Sequence, residues 1–180
     1  MRAASIVLAA ALAAASPVAA QETLPQSPIL TLNEERLFAA SAFGQRVLGE
    51  IAAAEAALAA ENRALEEELV AEERALTERR ATTASDAFRA LADAFDTRVQ
   101  TVRRTQEAKA RDLARRREAE RQRFFEAALP VLGQLARDAG AVAILTDQAI
   151  VLSFDRIDIT DAAIARLDAV LGTGEAPPPE

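Results

Sequence analysis

Apolar residues recur along the middle of this chain at helical intervals. Val47, Ile51, Ala54, Leu58, Leu65, Leu69 and Leu76 form one series, and Phe88, Leu91, Phe95, Val99 and Val102 a second that extends to Leu113, Phe124 and Leu129. Steps of three, four, seven and eleven keep such residues on one helix face and fit a mildly irregular coiled coil. The run from Asn33 to Ala139 is roughly a hundred residues, against about 11–12 for an average helix. Thr82, Thr83, Ala84, Ser85 and Asp86 interrupt it with side chains that compete for backbone hydrogen bonds. A tip near 82–86 is expected, the alternative being a continuous helix weakened there. With a turn, segments 45–81 and 87–126 have nearly equal lengths of about 55–60 Å at 1.5 Å per residue, as an antiparallel hairpin requires.

The ends of the run carry their own signals. Asn33 is a plausible N-cap, with Glu34 and Glu35 in a first turn where acids favour the helix dipole. Leu37, Phe38, Ala42 and Phe43 give an apolar face, while Gly44 and Gly49 allow close packing or a bend where the arm leaves its base. Pro130 is expected to kink or break the returning helix, and Gly140 is a natural residue to close it.

Outside the run the period changes. Residues 29–32 read as a strand. Residues 141–145 read as a buried strand, Asp147 and Gln148 as a turn, and 149–154 as the returning strand of a β-hairpin. Thr160 is the expected N-cap of a last helix, with Ile164, Leu167 and Leu171 facing the body and Gly172 closing it. The predicted organisation is α+β and predominantly helical. It comprises a linker at 21–28, a first body part at 29–44, an arm at 45–128, a second body part at 129–172 and a disordered tail at 173–180.

Charge sharpens the hairpin. Glu50, Glu55, Glu61, Glu66, Glu67, Glu68, Glu72, Glu73 and Glu78 face only Arg63 and Arg74 on the outgoing segment. The returning segment carries Arg98, Arg103, Arg104, Lys109, Arg111, Arg115, Arg116, Arg117, Arg121 and Arg123 against Glu107, Asp112, Glu118 and Glu120. Single exposed pairs contribute about 0–1 kcal/mol, but a consistent sign selects this pairing over others.

The first twenty residues follow another logic. Arg2, an apolar stretch from Ile6 to Ala15, and the small residues Val18, Ala19 and Ala20 have the layout of a secretory signal peptide cleaved after Ala20. The apolar stretch is below the ~20 residues needed to span a bilayer, so no stable membrane insertion is expected. Export places the mature chain in the periplasm. Net charge is −7, and −8 once Arg2 is lost, which argues against a nucleic-acid partner.

Composition also limits chemistry. Without Cys there are no disulfides, thiolate nucleophiles or sulfur-bound zinc, and without His the usual general base and commonest transition-metal ligand are gone. No catalytic, cofactor-binding or metal-binding residue is assigned, and no cofactor is expected. Asp155, Asp158 and Asp161 lack the Gly-bearing loop of a calcium site and fit turn and capping roles. Phe88 and Phe95 keep heptad register, so packing in the seam outweighs contact with a client. Of the adjacent Phe124 and Phe125, one should pack at the arm's junction while the other faces a cavity or a neighbouring chain. The run Arg115, Arg116, Arg117 reads as a solvated face opposite the acidic segment rather than an anion site. Much of the 51% hydrophobic content is Ala, which favours helix but buries little area, so oligomerisation would supply missing core.

This arrangement resembles the Skp/OmpH family of periplasmic chaperones for outer-membrane proteins. The resemblance is tightest over 141–171, where a strand, an Asp-containing turn, a second strand and Asp158, Ile159, Thr160, Asp161 precede an amphipathic helix. Residues 29–43, with Leu37 and Phe38 after a strand and Asn33, are similar to the family's opening strand and helix. The resemblance implies a jellyfish-like homotrimer in which each chain gives three strands to a small β-barrel body and extends one helical hairpin. It implies an ATP-independent holdase, not an enzyme, whose partners are unfolded outer-membrane β-barrel proteins. Client-binding residues stay unassigned. The chain departs from the family's basic character, so strong binding to lipopolysaccharide or anionic membranes is not carried over. A structural coiled-coil spacer or adaptor of the envelope is the alternative function, and an envelope hydrolase a third class for which no site is found.

Overall fold

The computed structural model describes residue 24 and residues 26–174. The predicted leader at 1–20 lies outside the described residues. Strand β1 (Ile29–Leu32) leads into helices α1 (Glu34–Ala40), α2 (Ala42–Arg79) and α3 (Ser85–Asp138). Strand β2 (Ala143–Thr146), two short 3-10 turns (Asp147–Ala149 and Asp155–Ile157) and helix α4 (Thr160–Leu171) complete the chain.

The helical run from Asn33, in which Gly44 and Gly49 allow a bend near the base, divides at Ser41. Each piece starts with its own cap, because the first N–H groups of a helix have no partner inside it. The Asn33 side chain accepts from the Arg36 N–H at 2.6 Å, and Ser41 Oγ accepts from the Gly44 N–H at 3.1 Å. Ser41 Oγ also donates to the Phe38 carbonyl at 3.0 Å, and Asp168 on α4 accepts from the Ala42 N–H at 2.8 Å. A Cβ on Gly44 would lie 1.6 Å from the Phe38 carbonyl oxygen, so the break requires glycine there. Gly49 has open space around it and plays no such part.

Residues Arg80 to Ala84 separate α2 from α3. At 38 and 54 residues these helices are about 57 and 81 Å long, and the excess of α3 carries it down into the core. Pro130 lies inside α3 and does not break it; the helix continues to Asp138. Termination falls to Gly140, whose φ of +66° is the left-handed conformation that glycine adopts most readily. The Gly140 N–H donates to Arg137 and the Ala141 N–H to Ala136, giving a Schellman cap.

The sheet differs from the predicted hairpin. It has two strands, and β1 pairs with β2 in parallel, with Ile29 opposite Ala143 and Leu32 opposite Thr146. The returning strand expected over 149–154 does not form: Ala149 ends a 3-10 turn, and the next residues pair with nothing in the sheet. A parallel pair needs a long crossover rather than a tight turn, and here the whole arm is that crossover. The other edge of β1 receives a single bridge, Thr31 to Asp158, with the Ile159 N–H donating to the Thr31 carbonyl at 3.0 Å.

Thr160 also departs from expectation. It is the first residue of α4, and its hydroxyl accepts from the Asn33 N–H at 2.9 Å, tying α4 to α1. Asp158 instead accepts from the Thr160 N–H at 2.7 Å and from the Thr160 hydroxyl at 2.5 Å. The core gathers Leu30, Leu37, Phe38, Phe43, Val47, Phe124, Leu135, Ile159 and Leu167 where all these elements meet. Phe124 is fully buried there, with edge-on rings of Phe38 at 5.2 Å and Phe125 at 5.1 Å.

Candidate functional site

The arm formed by α2 and α3 carries the surface with the most to offer a ligand. No side chain between Ile51 and Phe124 is buried, although the seam residues Leu58, Leu65, Leu69, Phe95, Val99, Val102 and Leu113 are half-buried. The helices therefore meet along a line of partly wetted apolar residues rather than a sealed interior.

Charge bridges one side of that line, where a cavity of about 470 Å³ among Ala54, Ala57, Leu58 and Leu113 is bounded by the bridging Glu61, Lys109 and Arg116. Arg116 reaches Glu50 at 2.5 Å, Lys109 reaches Glu61 at 2.5 Å, and Arg98 forks between Glu68 at 2.9 Å and Glu72 at 2.6 Å. Partners rise on α2 as they fall on α3, so the helices pair in opposite sense. At about 100° per residue, Glu50, Glu61, Glu68 and Glu72 fall to one side of the Leu58–Leu65–Leu69 seam. Glu55, Asn62, Glu66 and Glu73 fall to the other, and there no ion pair crosses between the helices among the described residues.

The unlatched side is a groove. Its tipward part, about 670 Å³, is floored by Leu65, Leu69, Val70, Phe95, Val99 and Val102 and rimmed by Asn62, Glu66, Glu73, Arg103 and Glu107. Its rootward part, about 360 Å³, lies among Glu55, Leu58, Ala59, Ala110, Leu113 and Arg117. Gln106 on the tipward wall donates to Glu61 at 3.0 Å, and its Oε1 is buried without a hydrogen-bond partner.

Titration follows the latches. The hydrogen bond from Arg46, with the charges of Arg46 and Arg116, holds the Glu50 carboxyl below its ordinary value despite some desolvation. Hydrogen bonds from Lys109 and Gln106 do the same for Glu61. At the root, burial works against the Arg46 charge, but Glu50 and Glu120 outweigh it and raise its pKa. Arg46 also donates to the Thr173 carbonyl at 2.7 Å, and Arg123 on α3 to the Gly174 carbonyl at 3.2 Å. The first residues of the segment expected as a disordered tail thus strap the two arm helices together; 175–180 lie outside the described residues.

The residues singled out in the sequence separate in space. Phe95 lines the groove and Phe88 sits half-buried near the tip beneath the Arg80 guanidinium, 5.4 Å from the ring centre. Phe124 takes the junction, and Phe125 is partly buried against it. The basic run splits three ways: Arg115 pairs with Asp112 on its own helix, Arg116 latches to Glu50, and Arg117 stands on the groove wall. Asp161 pairs with Arg36, while Asp155 opens a 3-10 turn. The groove itself was missed. Its signal was present in the acidic residues at 55, 66 and 73, spaced eleven and seven apart beside the seam.

A family model described as outer membrane protein (OmpH-like) matches residues 28–167. The chain belongs to the OmpH-like family. A crystal structure of a candidate OmpH-like outer membrane chaperone from Caulobacter crescentus is similar to it, with a TM-score of 0.75 at 22% identity. The similarity covers 85% of this OmpH-like chain and 89% of that one. At that identity the likeness establishes a shared fold. No curated protein matches the chain. Among the described residues of this OmpH-like protein no helix is long and apolar enough to cross a membrane.

Proposed function

We propose that this protein is an ATP-independent periplasmic holdase that encloses unfolded outer-membrane proteins and prevents their aggregation before membrane assembly. The observation that carries the reading is family membership over nearly the whole mature length, joined to an arm that leaves its apolar seam half open. Many weak contacts along such a seam would hold a client without trapping it, and release needs no nucleotide.

The working unit is a homotrimer, its chains exported and cleaved after Ala20. Support comes from the apolar surface of the body. Val142, Val151, Leu152 and Phe154 are exposed, and β2 has no strand on its outer edge among the described residues. Open edges and bare apolar segments of this kind are covered in stable proteins, and strands shared between copies would cover both. The spacer or adaptor reading has no observation in its favour.

The test is light scattering of a denatured outer-membrane barrel diluted into buffer with and without the mature protein. Suppression at one trimer per client is expected, and its absence overturns the holdase reading. Size exclusion with light scattering checks the assembly, for which a monomer is the adverse result.

A further inference from the structure

The arm is latched on one side only, and this asymmetry decides where a client can lie. On the latched side, bridges from Arg98, Lys109 and Arg116 cross between the helices at 2.5–2.9 Å. The cavity of about 470 Å³ on that side ends at these bridges, so an extended segment running along the arm there would have to displace ion pairs. On the other side the floor of Leu65, Leu69, Phe95, Val99 and Val102 is reached without breaking any bridge between the helices.

We infer that this open groove binds one extended client segment with alternating apolar and polar side chains. Three features point to that occupant. The first is length: Glu55 to Glu73 covers about 27 Å of helix, which takes about eight residues of extended chain at ~3.3 Å each. Membrane-spanning β-strands have about 9–11 residues, so the groove holds most of one. The second is the period. One face of a strand lays an apolar side chain on the floor every second residue and turns its polar residues outward.

The third is the rims. Glu55, Glu66 and Glu73 stand along the α2 side, and Arg103, Glu107, Arg117 and Glu118 along the α3 side. Carboxylates accept from N–H groups and guanidinium groups donate to C=O groups. An extended backbone offers both along its edges, whereas a helix has already satisfied them internally. An acidic rim facing one that alternates guanidinium and carboxylate groups therefore complements an extended chain better than a helical one. The inference rests on the holdase reading for calling the occupant a client and for comparing its length with a membrane-spanning strand.

Two measurements on the full mature chain test it. In the first, a fluorescent peptide of about ten residues alternating leucine and threonine is titrated against wild type, Ala59→Trp, Ala110→Trp and Ala71→Trp. Ala59 and Ala110 line the groove, and the exposed Ala71 is not among its lining residues. Plugging the groove should weaken binding at least fivefold, Ala71→Trp should leave it unchanged, and a block isomer of the peptide should bind at least fivefold more weakly to wild type. No binding, or equal binding by all four proteins, overturns the inference.

The second measurement covers variants that disturb the arm. A photo-cross-linker at position 59 or 110 should capture the peptide, and at position 71 should not. Uniform capture, or capture of a second copy of this chain in place of the peptide, overturns the groove. Aggregation suppression with uniform capture removes the groove and leaves the holdase. Peptide capture confined to positions 59 and 110, without aggregation suppression, does the reverse.

Discussion

Root and arm are built from the same helices but held by different physics. Within the root, α2 and α3 bury Phe43, Val47, Ile51, Phe124, Val131, Leu132 and Leu135 against β1, α1 and α4. Beyond Ile51 no side chain is buried until Phe124, and the helices are joined by a half-open seam and exposed ion pairs. Apolar burial is worth about 25 cal/mol per Å², while exposed ion pairs add about 0–1 kcal/mol each. One chain thus contains a fixed base and a compliant extension.

The strongest way to break this contrast is at the root. Phe124→Ala removes a fully buried ring from the aromatic cluster and should cost about 3–5 kcal/mol, measured by denaturant unfolding of the body. A loss under 1 kcal/mol would mean that root and arm are equally soft.

Two glycines five residues apart sharpen it next. Gly44→Ala drives a Cβ into the Phe38 carbonyl and should destabilise by at least ~1–3 kcal/mol. Gly49→Ala meets nothing and should stabilise by up to ~1 kcal/mol through helix propensity. Thermal unfolding of both variants places the rigid boundary between positions 44 and 49 if the signs are opposite.

Charge reversal in the arm comes third. Arg98→Glu sets three acids together where a fork joined Glu68 and Glu72, yet it should change global stability by less than about 1 kcal/mol. Its effect should appear instead as faster amide exchange near residues 68–72 and 98, reversed by adding Glu72→Arg. A global loss comparable with that of Phe124→Ala would contradict the division.

The smallest effect is with pH. Glu50 and Glu61 have folded-state values below the ordinary 4.5, so their stabilisation is complete above that value and is lost as pH falls through the lower folded value. Spin-label distances between α2 and α3 should broaden below pH 4.5 while the body's unfolding signal stays unchanged. No broadening down to pH 3 would show that the seam, not the latches, sets the separation.

How much of this was legible in the sequence depended on how local the cause was. Asn33, the tip and Gly140 could be read because capping and turn chemistry act within a few residues. The place of the break could not, since it is fixed partly by Asp168, which accepts from the Ala42 N–H and lies 126 residues beyond it. Residues 149–154 have strand composition but no strand partner among the described residues, and propensity alone cannot supply one. Thr160 resembled a local cap, yet its hydroxyl serves Asn33. The charge reversal predicted that the helices attract. It took the positions of the bridges, all on one side, to reveal an open flank.

The parallel pairing of β1 with β2 also sets an order of folding. These strands come from opposite ends of the chain, so the body cannot close until everything between them has been made. Closing so long a loop from a random coil would be slow. A hairpin that zips from its tip, through contacts close in sequence, carries residue 45 back beside residue 126 before either strand has a partner, and most of the search is then already complete. The extension seen last when looking outward from the body would be the first part of the molecule to take shape.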